Sequence, residues 1–206
     1  MNLLKTDNFD TLYDFSLSVS YIADSILVFS KTKDFLFQHI DCDEIVLFLD
    51  DRDRSCLIAP FPYNRNREMA DLLIPYKDSL VKNILIDRKS FYRSHSSEPL
   101  LKSSQSELFV PLISSEDTVG FLYIARKQPV QFAPEEIKLV EFAANYLTFA
   151  IERSRWEERL VKSHNLLHNW QDKYLSLIDA FPFPAAIVDV SEDSINEANE
   201  SFVRLT

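Results

Sequence analysis

One uninterrupted segment limits the possible folds of this chain more than any other feature. From Glu135 to Ala180 the sequence contains neither glycine nor proline, and this run is far longer than a typical globular helix. Pro134 and two acidic residues open it, which predicts a helix start, because proline suits the first turn and carboxylates favour the positive end of the helix dipole. We therefore expect one long helix.

The apolar residues of this run recur at alternating intervals of three and four. That spacing keeps one stripe of a helix facing a second helix, as in a coiled coil, so we predict a homodimer. Arg153 and Ser163 interrupt the stripe and are candidate weak points for a register change. The predicted dimer seam consists of Leu139, Phe142, Tyr146, Phe149, Arg153, Trp156, Leu160, Ser163, Leu167, Trp170, Tyr174 and Leu177.

A second apolar face, which includes Ala144, Leu147 and Ile151, runs along only the first half of this helix. We expect the first half to be covered on two sides, by a sheet and by a partner helix, and the second half by the partner helix alone. The sequence Phe181-Pro-Phe-Pro184 then ends the helix.

Composition limits the class of protein. The chain has 206 residues, of which 46% are hydrophobic, and this content is sufficient for a sizeable core. Its net charge is −10 without a cluster of Lys and Arg, so we expect no nucleic-acid binding by this segment. No signal peptide and no apolar run of about eighteen residues is evident. We therefore expect a cytoplasmic protein with free thiols and no membrane span.

The chain contains a single glycine, Gly120. Phosphate-binding loops, dinucleotide fingerprints and nucleophile elbows each need several glycines at fixed spacing. P-loop NTPases, Rossmann enzymes and α/β-hydrolases are therefore excluded.

The remaining elements follow from local periodicity and turn residues. We predict one or two amphipathic helices over residues 10–39, broken near 23–25 or at Thr32, and a loop or short helix over 64–75. Pro111 disfavours a fully paired central strand unless a bulge is present. The predicted strands and short helix are a hairpin of 44–50 and 56–59, a helix near 80–85, a strand at 90–93, and strands at 107–113 and 118–125.

This order of elements resembles a GAF domain over residues 8–153. The likeness is carried by Ile40–Leu49, Glu107–Ile113, Val119–Ile124 and Phe132–Ala144, and then by Ala150-Ile-Glu152. The resemblance implies an α+β fold: an antiparallel sheet with flanking helices on one face and a ligand pocket on the other. It also implies a regulatory rather than an enzymatic role.

The end of the chain resembles the start of a PAS domain. Leu177–Asp189 is similar to that family's entry helix, proline turn and first strand, and Asn199 to its frequent strand-ending Asn. We therefore expect a GAF-like domain at 1–153, a coiled-coil signalling helix at 154–180 and a truncated PAS-like segment at 181–206. Such chains belong to bacterial sensor and signal-transduction proteins, so we expect an output domain after Thr206.

The GAF resemblance does not identify a ligand. Polar side chains near the expected pocket face are the candidates, since a pocket usually combines a few convergent polar groups with an apolar lining. The candidate ligand-binding residues are Tyr63, Tyr92, Arg93, His95, Glu107 and Tyr123.

Known cofactor motifs of the family match poorly. Cyclic-nucleotide GAF domains carry Asn-Lys, then Phe and an acidic pair, whereas this chain has Arg126-Lys127, Phe132 and Glu135-Glu136 at different spacing. Bilin-binding members pair a Cys with a His, and His95 has no adjacent Cys. We therefore expect neither a covalent bilin nor a cyclic nucleotide, and the cofactor is unknown.

Catalytic and metal-binding patterns are also weak. A GAF-type reductase of free methionine sulfoxide uses clustered cysteines, and this chain has only Cys42 and Cys56. His164 and His168 have metal spacing but no third ligand, and the acidic run Asp50–Asp53 is typical of a solvated hairpin turn. We predict no metal site. 

We therefore predict a regulatory input module that binds a small ligand or partner and relays the signal through a dimeric helix. The alternatives are a purely structural dimerisation module without ligand and a thiol-based reductase.

Overall fold

The computed structural model describes residues 4–61, 63–64, 72–94, 99–115, 117–189, 191 and 194–205. The chain divides into two units, Met1–Arg155 and Trp156–Thr206. In chain order the elements are α1 (Leu4–Ser20), α2 (Ser25–His39), β1 (Glu44–Asp51), β2 (Cys56–Ile58), β3 (Leu73–Pro75), α3 (Ser79–Lys82) with a π-helical turn (Asn83–Asp87), β4 (Phe91–Ser94), β5 (Ser106–Ile113), β6 (Thr118–Arg126), α4 (Pro134–Asp179), β7 (Ala186–Asp189), β8 (Ser194–Ala198) and α5 (Glu200–Val203).

The N-terminal helical segment breaks where the sequence indicates. Asp24 caps α2, because its side chain accepts hydrogen bonds from the backbone N–H groups of Ile26 (2.8 Å) and Leu27 (3.4 Å). The predicted break near 23–25 is confirmed, and Thr32 lies inside α2.

Six strands of the first unit form one antiparallel sheet in the order β3-β2-β1-β6-β5-β4. Pro111 is tolerated in β5 because β4 pairs with this strand only as far as Phe109. A register shift also occurs between Leu112 and Ile113. The predicted antiparallel α+β fold, with flanking helices and a long helix, is confirmed.

Alternate residues of the central strands enter two separate cores, as the two-residue period of a strand requires. On the helix face, Ile45, Leu47 and Leu122 pack with residues of α1, α2 and α4. On the opposite face, Phe48, Phe109 and other side chains pack with Leu80, Val81 and Ile84 from the α3 segment. We call this second surface the aromatic face; its buried aromatic members are Phe48, Phe109, Phe121 and Tyr123.

Gly120 sits where β6 crosses closest to β1. A Cβ at this position would lie 2.0 Å from the carbonyl oxygen of Phe48, and the backbone φ is +156°. Both the space and the conformation therefore require glycine.

The expectation of a loop or short helix over 64–75 is only partly correct. Leu73–Pro75 forms β3, which pairs with β2, while residues 65–71 lie outside the described part of the chain. Three residues give no readable periodicity, so only the neighbouring strand specifies this element.

The second unit contains the later part of α4, the β7–β8 hairpin and α5. Asn199 is fully buried and joins these elements. Its Oδ1 accepts from the N–H groups of Ala185 and Phe202, both at 2.9 Å, and its Nδ2 donates to the Phe183 carbonyl at 2.8 Å. Nδ2 also lies 3.3 Å from the carbonyl oxygens of Ile178 and Phe181, at the end of α4.

Among the described helices, none combines the length and the apolar character that crossing a membrane requires.

Candidate functional site

A buried carboxylate on the aromatic face is the centre of the candidate site. Glu107 of β5 lies directly opposite Arg93 of β4, and only 1% of Glu107 is exposed. The Arg93 Nε donates to Glu107 Oε2 over 2.5 Å. The arginine carbon Cζ also lies 5.2 Å from the ring centroid of Phe109, within cation–π range.

The second carboxylate oxygen accepts three further hydrogen bonds. Glu107 Oε1 accepts from the Leu100 N–H (2.7 Å), the Ser104 hydroxyl (2.9 Å) and the Tyr123 hydroxyl (2.6 Å). These four donors satisfy a charge that would otherwise be costly to bury. Because Leu100 and Ser104 belong to the segment before β5, the carboxylate also fastens that segment to the sheet.

Burial and the hydrogen bond to Glu107 raise the pKa of Tyr123 well above its usual value. The phenol therefore stays protonated and acts as a hydrogen-bond donor at neutral pH. The polar groups of the site therefore bind one another and are held in one arrangement.

Aromatic rings fill the described part of the face around this cluster. Phe48 stacks on Phe121 with ring centroids 4.5 Å apart, and Phe91 stacks on Phe109 at 4.7 Å. Tyr123 lies 5.3 Å from Phe109. Apart from Phe91, these rings have no exposed surface, so their packing is that of a core.

Three of the six residues predicted to bind a ligand come together: Arg93, Glu107 and Tyr123. Tyr92 alternates with Arg93 along β4, so it projects from the other face, and it is 44% exposed. Tyr63 packs with the helix-face core, where it bonds Ser25 at 2.8 Å.

The structure therefore does not bring Tyr63 or Tyr92 to the cluster, and His95 lies outside the described residues. The sequence does not point to Leu100 and Ser104, because the serine-rich stretch 94–106 is typical of a loop and does not show which strand that loop contacts.

The residues compared with the cyclic-nucleotide motif contact one another within the chain. Arg126 is buried, and its Nη2 lies 2.6 Å from Glu136 Oε1 in the first turn of α4. Its guanidinium lies 4.1 Å from the Phe132 ring centroid, and its Nε donates to the Asp41 carbonyl at 2.5 Å. Glu136 in turn accepts from the Ala133 N–H at 2.7 Å. These contacts fix the start of α4 to the end of β6.

The two cysteines are separate and poorly ionised. Cys42 precedes Glu44, while Cys56 pairs with Asp51, so they lie at opposite ends of a strand roughly 23 Å long at ~3.3 Å per residue. A disulfide needs Cα atoms about 5.5–6 Å apart. Burial raises the pKa of Cys42 to about 12, despite the nearby Arg126, and also raises the pKa of Cys56. This geometry does not support a two-cysteine reductase.

The histidine and the acidic residues that were considered as metal ligands have ordinary side-chain partners. His168 lies 3.6 Å from Asp172, one turn on, and both are exposed. Asp50 accepts hydrogen bonds from Arg52 and Tyr76, and Asp51 lies 3.7 Å from Arg54. Within the described residues, no group of three His, Cys, Asp or Glu side chains is arranged to hold a metal ion.

The predicted seam of α4 falls into two parts. Leu139, Phe142 and Tyr146 are partly buried against the core of the same chain, where the Phe15 ring lies 6.4 Å from Phe142 and 6.0 Å from Tyr146. Within the chain α1 already covers part of this stretch, and coverage by a partner helix stays a prediction. Arg153 likewise donates to the Ile22 carbonyl after α1.

From Phe149 onward the apolar seam residues are exposed, with 47–69% of each accessible to solvent. The members of this exposed seam are Phe149, Trp156, Leu160, Leu167, Trp170, Tyr174 and Leu177.

Solved structures with the same fold include three informative ones. The GAF domain of an Acinetobacter phosphoenolpyruvate-protein phosphotransferase is 16% identical, with a TM-score of 0.61; the match covers 75% of this chain and 96% of that one. The GAF domain of a two-component sensor histidine kinase from Bacillus halodurans is 21% identical, with a TM-score of 0.55, covering 64% and 95%.

A free methionine-R-sulfoxide reductase from Neisseria meningitidis is 18% identical, with a TM-score of 0.58, covering 71% and 89%. At these identities the likeness concerns the fold. No curated protein matches the sequence. The family model for the GAF domain matches residues 27–153, which span α2, the whole sheet and the first part of α4. This chain therefore belongs to the GAF domain family.

Proposed function

We propose that this chain is a regulatory input module of a dimeric signal-transduction protein. In this proposal, a change in the first unit, Met1–Arg155, which we call the GAF unit, passes along α4. The helix pairs with its copy as a coiled coil and leads to a segment that begins a PAS-like domain. The exposed seam of α4 is the observation that carries the proposal. Soluble proteins rarely leave a long apolar stripe in water, and its three-and-four spacing, interrupted only at Arg153 and Ser163, suits a second helix of the same kind.

Two arginines support a relay at the point where α4 leaves the GAF unit. Arg153 donates to the Ile22 carbonyl, between α1 and α2, and Arg155 donates to the Asp50 carbonyl at the end of β1 (3.2 Å). A shift of the α1–α2 connection or of the end of β1 therefore acts on the helix directly. Helix shifts of one to two ångströms at interfaces are a common form of such switching.

The second unit supports an output connection. Asn199 donates to the carbonyl of Ile178 at the end of α4 and accepts from the N–H groups of Ala185, just before β7, and Phe202 in α5. A movement of the helix end therefore reaches the hairpin through one side chain. An isolated two-stranded hairpin is only marginally stable, and Val188 and Ile195 are more than half exposed. These features fit the first strands of a PAS-like domain, whose further residues would cover them.

For ligand binding, Arg93, Glu107 and Tyr123 remain the proposed residues, whereas Tyr92 projects from the other face and His95 lies outside the described residues. However, their described polar groups are already paired and the rings around them are packed. This observation favours the second candidate, a module that dimerises and relays without a small ligand.

A regulatory rather than catalytic role fits the two separated thiols, and we propose a cytoplasmic location for a protein of this kind. The net charge of −10 argues against nucleic acid as a partner of this segment.

Sedimentation velocity of the full chain over a wide concentration range tests the dimer. Leu160→Glu places a charge in the seam, and Val161→Glu places the same charge on a neighbouring exposed apolar residue outside it. We expect the first change to yield monomers and the second to leave dimers. A wild-type chain that stays monomeric at every concentration contradicts the proposal.

Native mass spectrometry of the protein purified from its own host separates the two candidate functions. A reproducible bound mass that disappears in Glu107→Gln supports a ligand. A bare dimer supports the structural module.

A further inference from the structure

Asp50, near the end of β1, contacts three different parts of the GAF unit. Its side chain is only 7% exposed. The Oδ2 atom accepts a hydrogen bond from Arg52 Nε at 3.2 Å, in the β1–β2 turn, and Oδ1 accepts from the Tyr76 hydroxyl just after β3. The backbone carbonyl of Asp50 accepts from Arg155 Nη2 at 3.2 Å. One residue therefore joins a turn, the end of β3 and α4.

Both ends of the α3 segment, residues 76–88, belong to the same set of contacts. Tyr76 begins the segment and donates to Asp50 directly. Arg88 ends it and lies 3.6 Å from Asp117, which accepts a hydrogen bond from Arg52. The buried apolar side chains of this segment are part of the core of the aromatic face. The segment that covers the aromatic face is thus connected to Asp50 at both of its ends.

The backbone of the α3 segment departs from regular helical geometry before it reaches β4. Asn83–Asp87 forms a π-helical turn, a rare form that often lies at functional sites. Arg88 follows with φ +51°, in the left-handed region that residues other than glycine rarely adopt. A π-helical turn contains one residue more than an α-helical turn, so conversion between them moves the residues that follow. The C-terminal end of this segment is therefore suited to a change between two arrangements.

The strength of these contacts differs with exposure. The side chains of Arg52 and Asp117 are 67% and 50% exposed, so water and salt weaken this ion pair, and the same holds for the contact with Arg88. Asp50 is almost enclosed, so loss of the Tyr76 hydroxyl leaves a buried carboxylate without one of its donors. The α3 segment is therefore held firmly at Tyr76 and loosely at Arg88.

From this arrangement we infer that Asp50 couples the α3 segment to α4, so that a change at the aromatic face reaches the long helix through Tyr76 and Arg155. The inference rests on the proposed function and names one route for its relay. Tyr76 binds the carboxylate of Asp50 and Arg155 binds its carbonyl, so a displacement of either side chain shifts Asp50 against the other. The contact of Arg153 with the Ile22 carbonyl is a separate route on the α1 side.

Hydrogen exchange of the full chain, combined with a double-mutant cycle, tests the coupling. Tyr76→Phe removes the hydroxyl that donates to Asp50 and keeps the ring in the core of the aromatic face. Arg155→Met removes the donor to the Asp50 carbonyl and keeps an unbranched side chain. Tyr63→Phe is the matched control, because it removes a hydroxyl that bonds Ser25 at 2.8 Å in the other core.

Each single change is expected to act on the other side of Asp50. Tyr76→Phe should accelerate exchange of the α4 amides at 149–155, and Arg155→Met should accelerate exchange in α3 and the π-helical turn, because coupling is reciprocal. In the double variant the acceleration should differ by roughly threefold or more from the product of the single effects, as for residues in one hydrogen-bond network. Arg155→Lys keeps a charged donor and should restore much of the protection.

The control pair is expected to behave independently. Tyr63→Phe combined with Arg155→Met should give the product of its two single effects in the α3 segment. Wild-type protection of the β5 and β6 amides shows that each variant is folded. Single effects of Tyr76→Phe and Arg155→Met that simply multiply overturn the inference, and so does non-additivity of equal size in the control pair.

Sedimentation of the wild-type chain separates this inference from the proposed function. A dimer in which Tyr76 and Arg155 act independently loses only the route through Asp50, and the proposed module stands. A chain that stays monomeric at every concentration contradicts the dimeric module, whereas the exchange cycle still decides the coupling within one chain.

Discussion

The Tyr123 hydroxyl donates a hydrogen bond to Glu107 Oε1 over 2.6 Å, and both side chains are almost completely buried. This pair joins β6 to β5 on the aromatic face. It explains why the phenol stays protonated and why the carboxylate tolerates burial. The first two predictions follow from this relationship.

Stability is expected to fall at alkaline pH. The pKa of Tyr123 is raised by burial and by Glu107, so the unfolded chain releases the phenolic proton first, near its ordinary pKa of about 10. The stabilising contribution is fully present below that pH and is lost progressively above it. Urea unfolding between pH 7 and 11 measures the effect.

Tyr76, whose pKa is also raised by burial and by Asp50, contributes to the same fall, as does Cys42 from about pH 9. The control is therefore Tyr123→Phe, which should show a shallower decline above pH 10. An identical decline in the free energy of unfolding of both proteins contradicts the contribution assigned to Tyr123.

Removal of the buried carboxylate is expected to be costly. Glu107→Ala removes the acceptor of the Leu100 N–H and the counter-ion of Arg93, and it leaves the Tyr123 hydroxyl with only the Ser104 Oγ at 3.3 Å. The Ser104 hydroxyl keeps the Leu101 carbonyl as its acceptor at 2.8 Å. We expect a loss of about 2–4 kcal/mol in the free energy of unfolding, less than for a fully buried pair because Arg93 is partly exposed. Urea denaturation measures it, and Glu158→Ala on the exposed side of α4 should stay within about 0.5 kcal/mol of wild type.

Gly120 is expected to tolerate no side chain. In Gly120→Ala the new Cβ meets the Phe48 carbonyl at 2.0 Å, so β1 and β6 must separate at the centre of the sheet. We expect a loss of at least about 3 kcal/mol, seen as insoluble expression or a strongly lowered melting temperature. Ser103→Ala, in the exposed segment before β5, is the matched control. A Gly120→Ala protein that melts with wild type would show that this crossing is wider than the structure has it.

Asn199 is expected to control the second unit alone. Asn199→Ala removes the acceptor for Ala185 and Phe202 and the donor to the carbonyls at the end of α4. Hydrogen exchange should accelerate in the β7–β8 hairpin while the sheet amides of the GAF unit keep their protection. Asn199→Asp retains the acceptor but adds a negative charge near the negative end of α4, so we expect an intermediate effect. Unchanged hydrogen exchange in the hairpin would contradict the proposed role of Asn199 in connecting α4 to the hairpin.

The thiols are expected to react slowly. With a pKa of about 12, Cys42 holds very little thiolate at pH 8, and Cys56 is buried. Alkylation by iodoacetamide should be roughly a hundredfold slower than in urea, where both thiols are released. Rapid alkylation of either cysteine in the folded chain would contradict this prediction and support a reactive thiol.

Several features of this protein are readable in the sequence because they depend on local periodicity. The long helix after Pro134, its apolar seam, the hairpin of β1 and β2 and the strands on either side of the 114–117 turn each follow from residues close together in the chain. The single glycine likewise excludes whole classes of enzyme without any structure. Local hydrogen bonds and side-chain faces depend on neighbours three or four positions away, so sequence spacing predicts them.

Tertiary structure alone decides which distant residues meet. Arg93 pairs with Glu107, and Phe15 covers Tyr146, only because strand register and helix packing bring them together. One sequence contains no record of that register, so it groups Tyr63 with residues from which the sheet separates it, and it does not show that α1 packs on the first part of the seam. The sequence by itself determined that α4 is long and amphipathic; the packing of α1 decided which part of its apolar seam is covered within the chain.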